Sequence, residues 1–414
     1  MYRLVNRIKN PKNYIKDIVF DKEFGIHNIT VEHRSNNPKR DYLFVNKKQC
    51  KHIPASPSEM VEMCKLLANK VNNTLANVVP LDEKVLVIGF AETATAIGNC
   101  VADNLCCDAY VLQTTREDVP NSVEIIRFEE EHSHATTQKL LTYAENPINL
   151  DDYVYILFVE DEISTGNTIL NFIDAFEAKH PGFRYGVASI CNWQNTENKE
   201  KFKQRGIDVF ALISGNLVDK DLKLIDKEDI EYLVTTSCDS VKTEPYNIGC
   251  NPACKNMLGE DLFRETRLGH NTNMDLTELF KYVEGKVKAV SAKSIRIIGT
   301  EEFMYIPIKV GEYLESIGCE VICHSTTRSP IDKVYMNNLK DSDAKTCSCY
   351  DTIVSKFTLD SVYDANRNTY LYNLEEMTDL IFIITDKEIK DSKTLNKYYY
   401  TLHKLATNIF IVQL

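Results

Sequence analysis

The chain has 414 residues, of which 43% are hydrophobic, too many for one ordinary core and suited to two domains. Its 60 acidic and 48 basic residues give a formal net charge of -12 and are spread along the sequence, so no basic patch advertises a nucleic-acid partner and a small-molecule ligand is expected. No apolar run suits a signal peptide or the roughly 18 residues of a membrane span, and the 13 cysteines suggest no disulfide framework, so the expectation is a soluble, cytoplasmic protein with reduced thiols.

Residues 1–55 carry short alternating stretches, Ile29 to His33 and Tyr42 to Val45, between Asn, Pro and Lys-Arg clusters, and read as a β-rich cap. An amphipathic helix opens at Pro57-Ser58, with Val61, Leu66, Leu67 and Val71 as its apolar pattern. From Lys84 the grammar becomes βαβ: a buried strand to Ile88, a turn from Gly89 to Thr93, a helix from Ala94 to Leu105, and a strand from Ala109 to Leu112. Residues 116–139 are charged and read as a long surface loop. A strand from Tyr153 to Val159, a helix from Asn167 to Lys179, and strands at Tyr185 to Cys191 and Val209 to Ile213 complete a core over 56–225. Residues 226–275 read as a linker or insertion. The grammar resumes over 276–414, with strands at Ser294 to Gly299, Glu320 to His324, Leu380 to Thr385 and Ile409 to Val412 and a helix near 305–316.

The strongest chemical signal is Glu160-Asp161-Glu162-Ile163-Ser164-Thr165-Gly166-Asn167-Thr168. A strand running into Glu160 and Asp161 places two carboxylates at the carboxyl end of a parallel sheet, where open α/β folds hold ligands. Ser164, Thr165, Gly166, Asn167 and Thr168 then turn into a helix whose N-terminal N–H groups and dipole suit a phosphate, while the acids can accept hydrogen bonds from vicinal sugar hydroxyls. The competing reading is an acidic turn in which Thr165 or Thr168 only caps the helix.

The turn Gly89-Phe90-Ala91-Glu92-Thr93 precedes another helix at the same sheet end and is a second candidate anion site, although a glycine after a buried strand is common. Arg116 follows the next strand and could pair with a diphosphate oxygen or stay solvated. Glu131, His132 and His134 lie in the long loop, where they could shield a reacting centre; paired histidines on a polar loop are more often exposed than metal ligands. Cys250 with Cys254 and Cys347 with Cys349 lack zinc-knuckle spacing and read as thiols, and Cys191 and Cys319 read as core.

The second half echoes the first. Val85 to Glu92 matches Ile295 to Glu302, Thr114-Thr115-Arg116 matches Thr326-Thr327-Arg328, and Leu157 to Glu162 has a fainter counterpart in Phe382 to Lys387. The spacings agree, 27 residues from Gly89 to Arg116 and 29 from Gly299 to Arg328. An internal duplication in which the first copy alone kept the full phosphate site is the expectation; the competing explanation is that buried strands look alike.

The ordered combination of apolar strand, paired acids, phosphate turn and helix resembles the signature of type I phosphoribosyltransferases. Arg40 to Asn46, Lys51-His52-Ile53-Pro54, Thr114 to Arg116, Glu131 to Ala135 and Thr327-Arg328-Ser329-Pro330 further resemble the phosphoribosyltransferases of tellurium-resistance and stress-response gene clusters, with their C-terminal TRSP domain. Cys50 stands where that family leads one to expect glycine. The resemblance implies an α/β parallel sheet with a β-rich N-terminal cap and a second α/β domain. It implies that 5-phosphoribosyl-1-pyrophosphate binds with Mg2+, with Glu160 and Asp161 on the ribose hydroxyls and Thr165 to Thr168 on the 5-phosphate. Gly89 to Thr93 and Arg116 would face the pyrophosphate. The implied activity is transfer of the phosphoribosyl group to an unidentified small-molecule acceptor, by a protein that could be a homo-oligomer. A non-catalytic nucleotide or phosphoribosyl-pyrophosphate sensor is the alternative, and a catalytic C-terminal domain a third.

Overall fold

The computed structural model describes residues 11–34, 42–80, 83–129, 137–217, 262–272, 274–331, 353, 355–389, 391–406 and 408–414. The first half contains β1 (Ile15–Phe20), β2 (Ile29–His33), β3 (Tyr42–Asn46), β4 (Lys84–Gly89), β5 (Ala109–Thr115), β6 (Ser122–Glu129), β7 (Thr137–Tyr143), β8 (Tyr153–Ile163), β9 (Arg184–Asn192) and β10 (Asp208–Leu217), and buried apolar runs in β4, β8 and β9 form the centre of the larger sheet. Its order is β1-β10-β9-β8-β4-β5-β7-β6, while β2 and β3 pair separately as an antiparallel hairpin. Strands β10, β9, β8, β4 and β5 run parallel, so their carboxyl ends share one edge. Helices α1 (Pro57–Val78), α2 (Thr95–Ala102), α3 (Asn167–Glu177) and α4 (Thr196–Gln204) belong to this half. Pro57 stands at the first helical position of α1, where a missing N–H costs nothing.

Two segments differ from expectation. Residues 122–143 are not a simple loop: β6 and β7 form an antiparallel hairpin, and β7 pairs with β5 through Thr114↔Leu140 and Thr115↔Lys139. Ile126, Phe128, Leu140 and Leu141 are buried beneath it, which outweighs the charge on its outer face. Strand β1 is the edge of the main sheet, paired antiparallel with β10, rather than part of a separate cap.

The second half contains α5 (Leu262–Leu268), β11 (His270–Asn271), α6 (Thr277–Val290), β12 (Ser294–Gly299), α7 (Tyr305–Ser316), β13 (Glu320–Ser325), β14 (Lys356–Asp360), β15 (Asn368–Tyr372), β16 (Leu380–Thr385), α8 (Ser392–Leu402) and β17 (Asn408–Gln413). Within the stretch read as a linker, α5 has a fully buried Arg267 and β11 pairs with β5 of the larger sheet. The smaller sheet is parallel and ordered β13-β12-β16-β17. That order repeats β5-β4-β8-β9 of the larger one. The hairpin β14-β15 falls between β13 and β16 as β6-β7 falls between β5 and β8, and Thr327 bridges to Tyr370 as Thr115 pairs with Lys139. Ile298 faces Ile383 as Ile88 faces Phe158, which sets Asp386 in the place of Asp161. Strand order, hairpin and register thus repeat from the first half to the second, which are called the two copies for this repeat of topology.

The copies meet through α1, α2 and α7, whose apolar residues belong to one continuous core. Contact is close enough that a Cβ on Gly311 of α7 would lie 2.4 Å from Pro57 Cγ. Among the described residues no helix is long and apolar enough to cross a membrane. Cys191 is buried and Cys319 half-buried; Cys250, Cys254, Cys347 and Cys349 lie outside the described residues.

Candidate active site

Strand β8 continues to Ile163, so Glu160, Asp161 and Glu162 lie on the strand itself, Glu160 opposite Ser189 and Glu162 opposite Cys191 of β9. The chain then turns into α3 through Gly166, whose φ of +81° favours glycine. A side chain there has no room either, because a Cβ would lie 2.6 Å from both Phe202 Cζ and Gln194 Nε2. The Thr165 hydroxyl accepts from the Asn167 N–H at 3.3 Å, and the Gln194 amide donates to the Thr165 carbonyl at 3.4 Å. Among the described residues no side chain caps α3. Thr165 therefore shapes the turn, and the helix N-terminus keeps N–H groups for an anion.

The turn after β4 is held from below and from the side. Phe90 is buried among Phe128, Phe158 and Phe172, with ring centroids 5.7, 5.9 and 5.9 Å away. Burying such a ring contributes about 1.5 to 3 kcal/mol, enough to pin the turn. The Ala91 N–H donates to Thr114 Oγ1 at 2.8 Å, and Gln138 Nε2 of the hairpin donates to the Ala91 carbonyl at 2.9 Å. The Ala91–Glu92 peptide is cis.

These elements converge on a cleft of about 210 Å³. The structure brings Phe90, Ala91, Glu92, Thr93, Arg116, Glu160, Asp161, Ser164, Thr165, Gly166 and Thr168 to its wall. Gly89 and Asn167 support the turns without lining the cleft, and Glu131, His132 and His134 lie outside the described residues. Sequence reading had not assigned Arg34 and Leu43 of the β2-β3 hairpin, or Thr327, Arg328 and Ser329 of the C-terminal half, to this wall. The internal match of Arg116 with Arg328 was the available signal, but it does not reveal how the copies face one another.

Glu92 is not an open contact for an anion. Its carboxylate pairs with Lys51 Nζ at 2.7 Å, accepts the Arg328 N–H at 3.3 Å, and lies 3.6 Å from Arg328 Nε. Burial works to raise its pKa, but Lys51 and Arg328 outweigh burial and hold it at about 2. In the candidate pyrophosphate turn its side chain therefore serves the seam between the copies, and the backbone is what faces the cleft. The mirrored acid, Glu302, accepts Thr115 Oγ1 at 2.7 Å and the Arg116 N–H at 3.0 Å. Burial raises the Glu302 pKa, yet Arg267 and Arg328 bring it below the usual value.

The corresponding region of the second copy is closed. Asp386 pairs with Arg267 Nη1 and accepts the Tyr363 hydroxyl at 2.7 Å. The Arg267 guanidinium also lies over the rings of Phe263 and Tyr363, 4.4 and 5.3 Å from their centroids. The carboxylate in Asp161's position is thus consumed internally.

The larger sheet is Rossmann-like, and a smaller parallel sheet lies beside it. Residues 29–216 match the family described as phosphoribosyl transferase, and residues 265–402 match the TRSP domain described as C-terminal to it. The two matches lie in tandem, a phosphoribosyltransferase-like segment before a TRSP-like one. Among solved structures, APRTase from Giardia lamblia complexed with 9-deazaadenine is 16% identical, with 45% of this chain and 94% of that chain covered and a TM-score of 0.33. Adenine phosphoribosyltransferase from Rhodothermus marinus is 14% identical, with the same coverages and a TM-score of 0.32. The Trypanosoma brucei enzyme in complex with AMP, pyrophosphate and ribose-5-phosphate is 12% identical over 52% of this chain and 85% of that chain, with a TM-score of 0.32. No curated protein matches the chain.

Proposed function

We propose that the first domain binds 5-phosphoribosyl-1-pyrophosphate and transfers its phosphoribosyl group to a small, nitrogenous acceptor, releasing pyrophosphate. The observation that carries this reading is the convergence of the 164–168 turn, the 90–93 turn, Arg116, Glu160 and Asp161 on one cleft at the carboxyl ends of β4, β5 and β8. The helix N-terminus suits the 5-phosphate, Glu160 and Asp161 accept from the ribose hydroxyls, and Arg116 with the 90–93 backbone faces the diphosphate. The family match over 29–216 supports the same assignment.

In this chemistry the C1–oxygen bond breaks, the diphosphate leaves with the electron pair, and an acceptor nitrogen supplies the pair for the new bond at C1. The chain's part is electrostatic: the acids face positive charge developing on the ribose, and the arginine and N–H groups face negative charge on the leaving group. Magnesium is usually held by one or two carboxylates plus substrate oxygens, and Glu160 and Asp161 offer that donor set. Among the described residues no three or more His, Cys, Asp or Glu side chains converge to hold a metal alone, so the fit is to an ion shared with substrate. When bound, it would add positive charge beside the diphosphate.

The resemblance to stress-response gene-cluster proteins makes a nucleoside-like product in the cytoplasm the favoured setting. A sensor that binds the same ligand without turnover is the second reading; the paired acids Glu160 and Asp161 on the cleft wall favour the enzyme, because they face the charge that develops on the ribose. Calorimetric titration of the full chain with phosphoribosyl pyrophosphate and magnesium, wild type against Asp161→Asn, tests the proposal. Absence of binding to folded wild-type protein sinks it. Binding without pyrophosphate release across a panel of nitrogenous acceptors selects the sensor.

A further inference from the structure

Arg328 belongs to the C-terminal copy but stands on the wall of the first copy's cleft, beside the 90–93 turn and Arg116. The duplication explains the meeting. Arg328 is the counterpart of Arg116, and each donates its backbone N–H to the other copy's equivalent glutamate: Arg116 to Glu302 at 3.0 Å, Arg328 to Glu92 at 3.3 Å. Two equivalent arginines thereby converge on a single cleft, because the second copy's own site is filled by Arg267 and Tyr363.

The Arg328 guanidinium is held in place. Its Nε lies 2.6 Å from Glu301, its Nη2 pairs with Glu117, and Glu92 and Glu302 lie 3.6 and 3.9 Å away. The backbone is fixed too, since the Thr327 N–H donates to the Tyr370 carbonyl at 2.9 Å and receives the Tyr370 N–H on its own carbonyl at 2.7 Å. Among the described residues no hydrogen-bond partner meets Nη1. Arg267, whose carboxylate partners Asp386 and Glu302 both lie in its own half, has a side chain 0% exposed, against 13% for Arg328.

We propose that Arg328 is a substrate-binding residue of the first domain's cleft, taking an oxygen of the diphosphate through Nη1, so that the TRSP segment completes the site. The inference rests on the reading above that the 90–93 turn faces the diphosphate. It adds a planar donor, pinned along two edges and preorganised for an anion, to a wall that also bears Glu160, Asp161 and Glu162.

The test is calorimetry of the full chain with three probes: phosphoribosyl pyrophosphate with magnesium, inorganic pyrophosphate with magnesium, and ribose 5-phosphate. Arg328→Gln should weaken the first two by about 10- to 100-fold, the effect of losing a charge-assisted hydrogen bond, and leave ribose 5-phosphate unchanged. Arg328→Lys keeps the charge among the carboxylates and should show the same selectivity with a smaller loss, so it carries the comparison where the glutamine variant does not fold. Arg367→Gln is the seam control: Arg367 touches Glu117 and Glu301 but does not line the cleft, and none of the three affinities should change. Wild-type affinity for pyrophosphate in a folded Arg328 variant, or equal loss of all three probes, overturns the inference and leaves the proposed function standing. A wild-type protein that binds none of the three fails at the earlier reading.

Discussion

The backbone N–H of Arg116 donates to Glu302 Oε1 across 3.0 Å, tying the strand end that opens the candidate site to a carboxylate of the other copy. Its counterpart runs the other way, from the Arg328 N–H to Glu92. Self-complementary contacts of this kind are what a two-fold interface produces, here between two halves of one chain. Lys51 adds a further tie, with Nζ 2.7 Å from Glu92 and 2.6 Å from the Glu301 carbonyl. The resemblance between the halves is therefore structural, while their chemistry diverges at Asp161 and Asp386.

That divergence predicts opposite phenotypes for one substitution at two equivalent positions. Asp161→Asn removes a charge from the cleft wall and should lower phosphoribosyl transfer about 100- to 1000-fold, the usual cost of one well-aimed electrostatic group, while stability stays within about 0.5 kcal/mol. Asp386→Asn removes a buried partner of Arg267 and should be mainly destabilising. Glu302 remains 3.3 Å from Arg267 Nε, so the loss should lie near the lower end of the about 3 to 5 kcal/mol typical of a broken buried pair. Urea denaturation and a pyrophosphate-release assay on both variants separate the effects; equal phenotypes would refute the division of labour.

Much of this architecture was legible because buried parallel strands leave uninterrupted apolar runs, as at Val85 to Ile88 and Leu380 to Ile384. The carboxylate turn was legible because its chemistry is local in sequence. The hairpin from Ser122 to Tyr143 was not, since its acids and histidines outweighed the alternation of Ile126, Phe128 and Leu140. Helix α5 has seven residues, too few for a periodic signal, and the reason Arg267 is buried lies 119 positions away at Asp386. Arg328 was visible as a repeat of Arg116, but its place on the cleft wall depends on how the copies pack.

The glycines offer a second paired comparison. A Cβ on Gly89 would lie 2.9 Å from the Ala94 carbonyl oxygen, and one on Gly299 would lie 2.7 Å from that of Phe303. Both contacts are with backbone, so either alanine must open its turn, with a cost of about 1 to 3 kcal/mol as for overpacking. Gly89→Ala should also weaken pyrophosphate binding strongly, because its turn lies on the cleft; Gly299→Ala should weaken it less, because its turn reaches the cleft only through the Glu301 pair with Arg328. A calorimetric affinity for pyrophosphate that is unchanged in a folded Gly89→Ala protein would contradict the assigned role of this turn.

Gly166→Ala tests the phosphate turn directly. Left-handed backbone costs a non-glycine residue about 1 to 2 kcal/mol, and the new methyl would also press on Phe202. Relaxation by peptide rotation would re-aim the N–H groups at the start of α3. The variant should lose ribose 5-phosphate affinity more than pyrophosphate affinity, the reverse of the pattern expected for Arg328→Gln.

Acid should loosen the seam in two stages with the same sign. Burial pushes His52 down to about 3, with Lys51 beside it acting in the same direction, and burial likewise lowers His270 and His324. Each is neutral when folded, so below the unfolded value near 6.5 the unfolded chain binds more protons and stability falls as pH falls. Every histidine in this condition contributes at most about 1.4 kcal/mol per pH unit. A second loss begins near the unfolded glutamate value of 4.5 and continues toward about 2, as Glu92 and then its ties to Lys51 and Arg328 are neutralised. Glu302, also lowered, acts with Glu92; Glu301, raised by burial despite Arg328, takes up its proton above 4.5 in the folded state and so opposes the histidines in the first stage. Urea denaturation between pH 7.5 and 5 should therefore show declining stability, and His52→Gln should flatten the slope over that range. A slope identical to wild type in the folded variant would remove His52 from the first stage and leave it to His270 and His324.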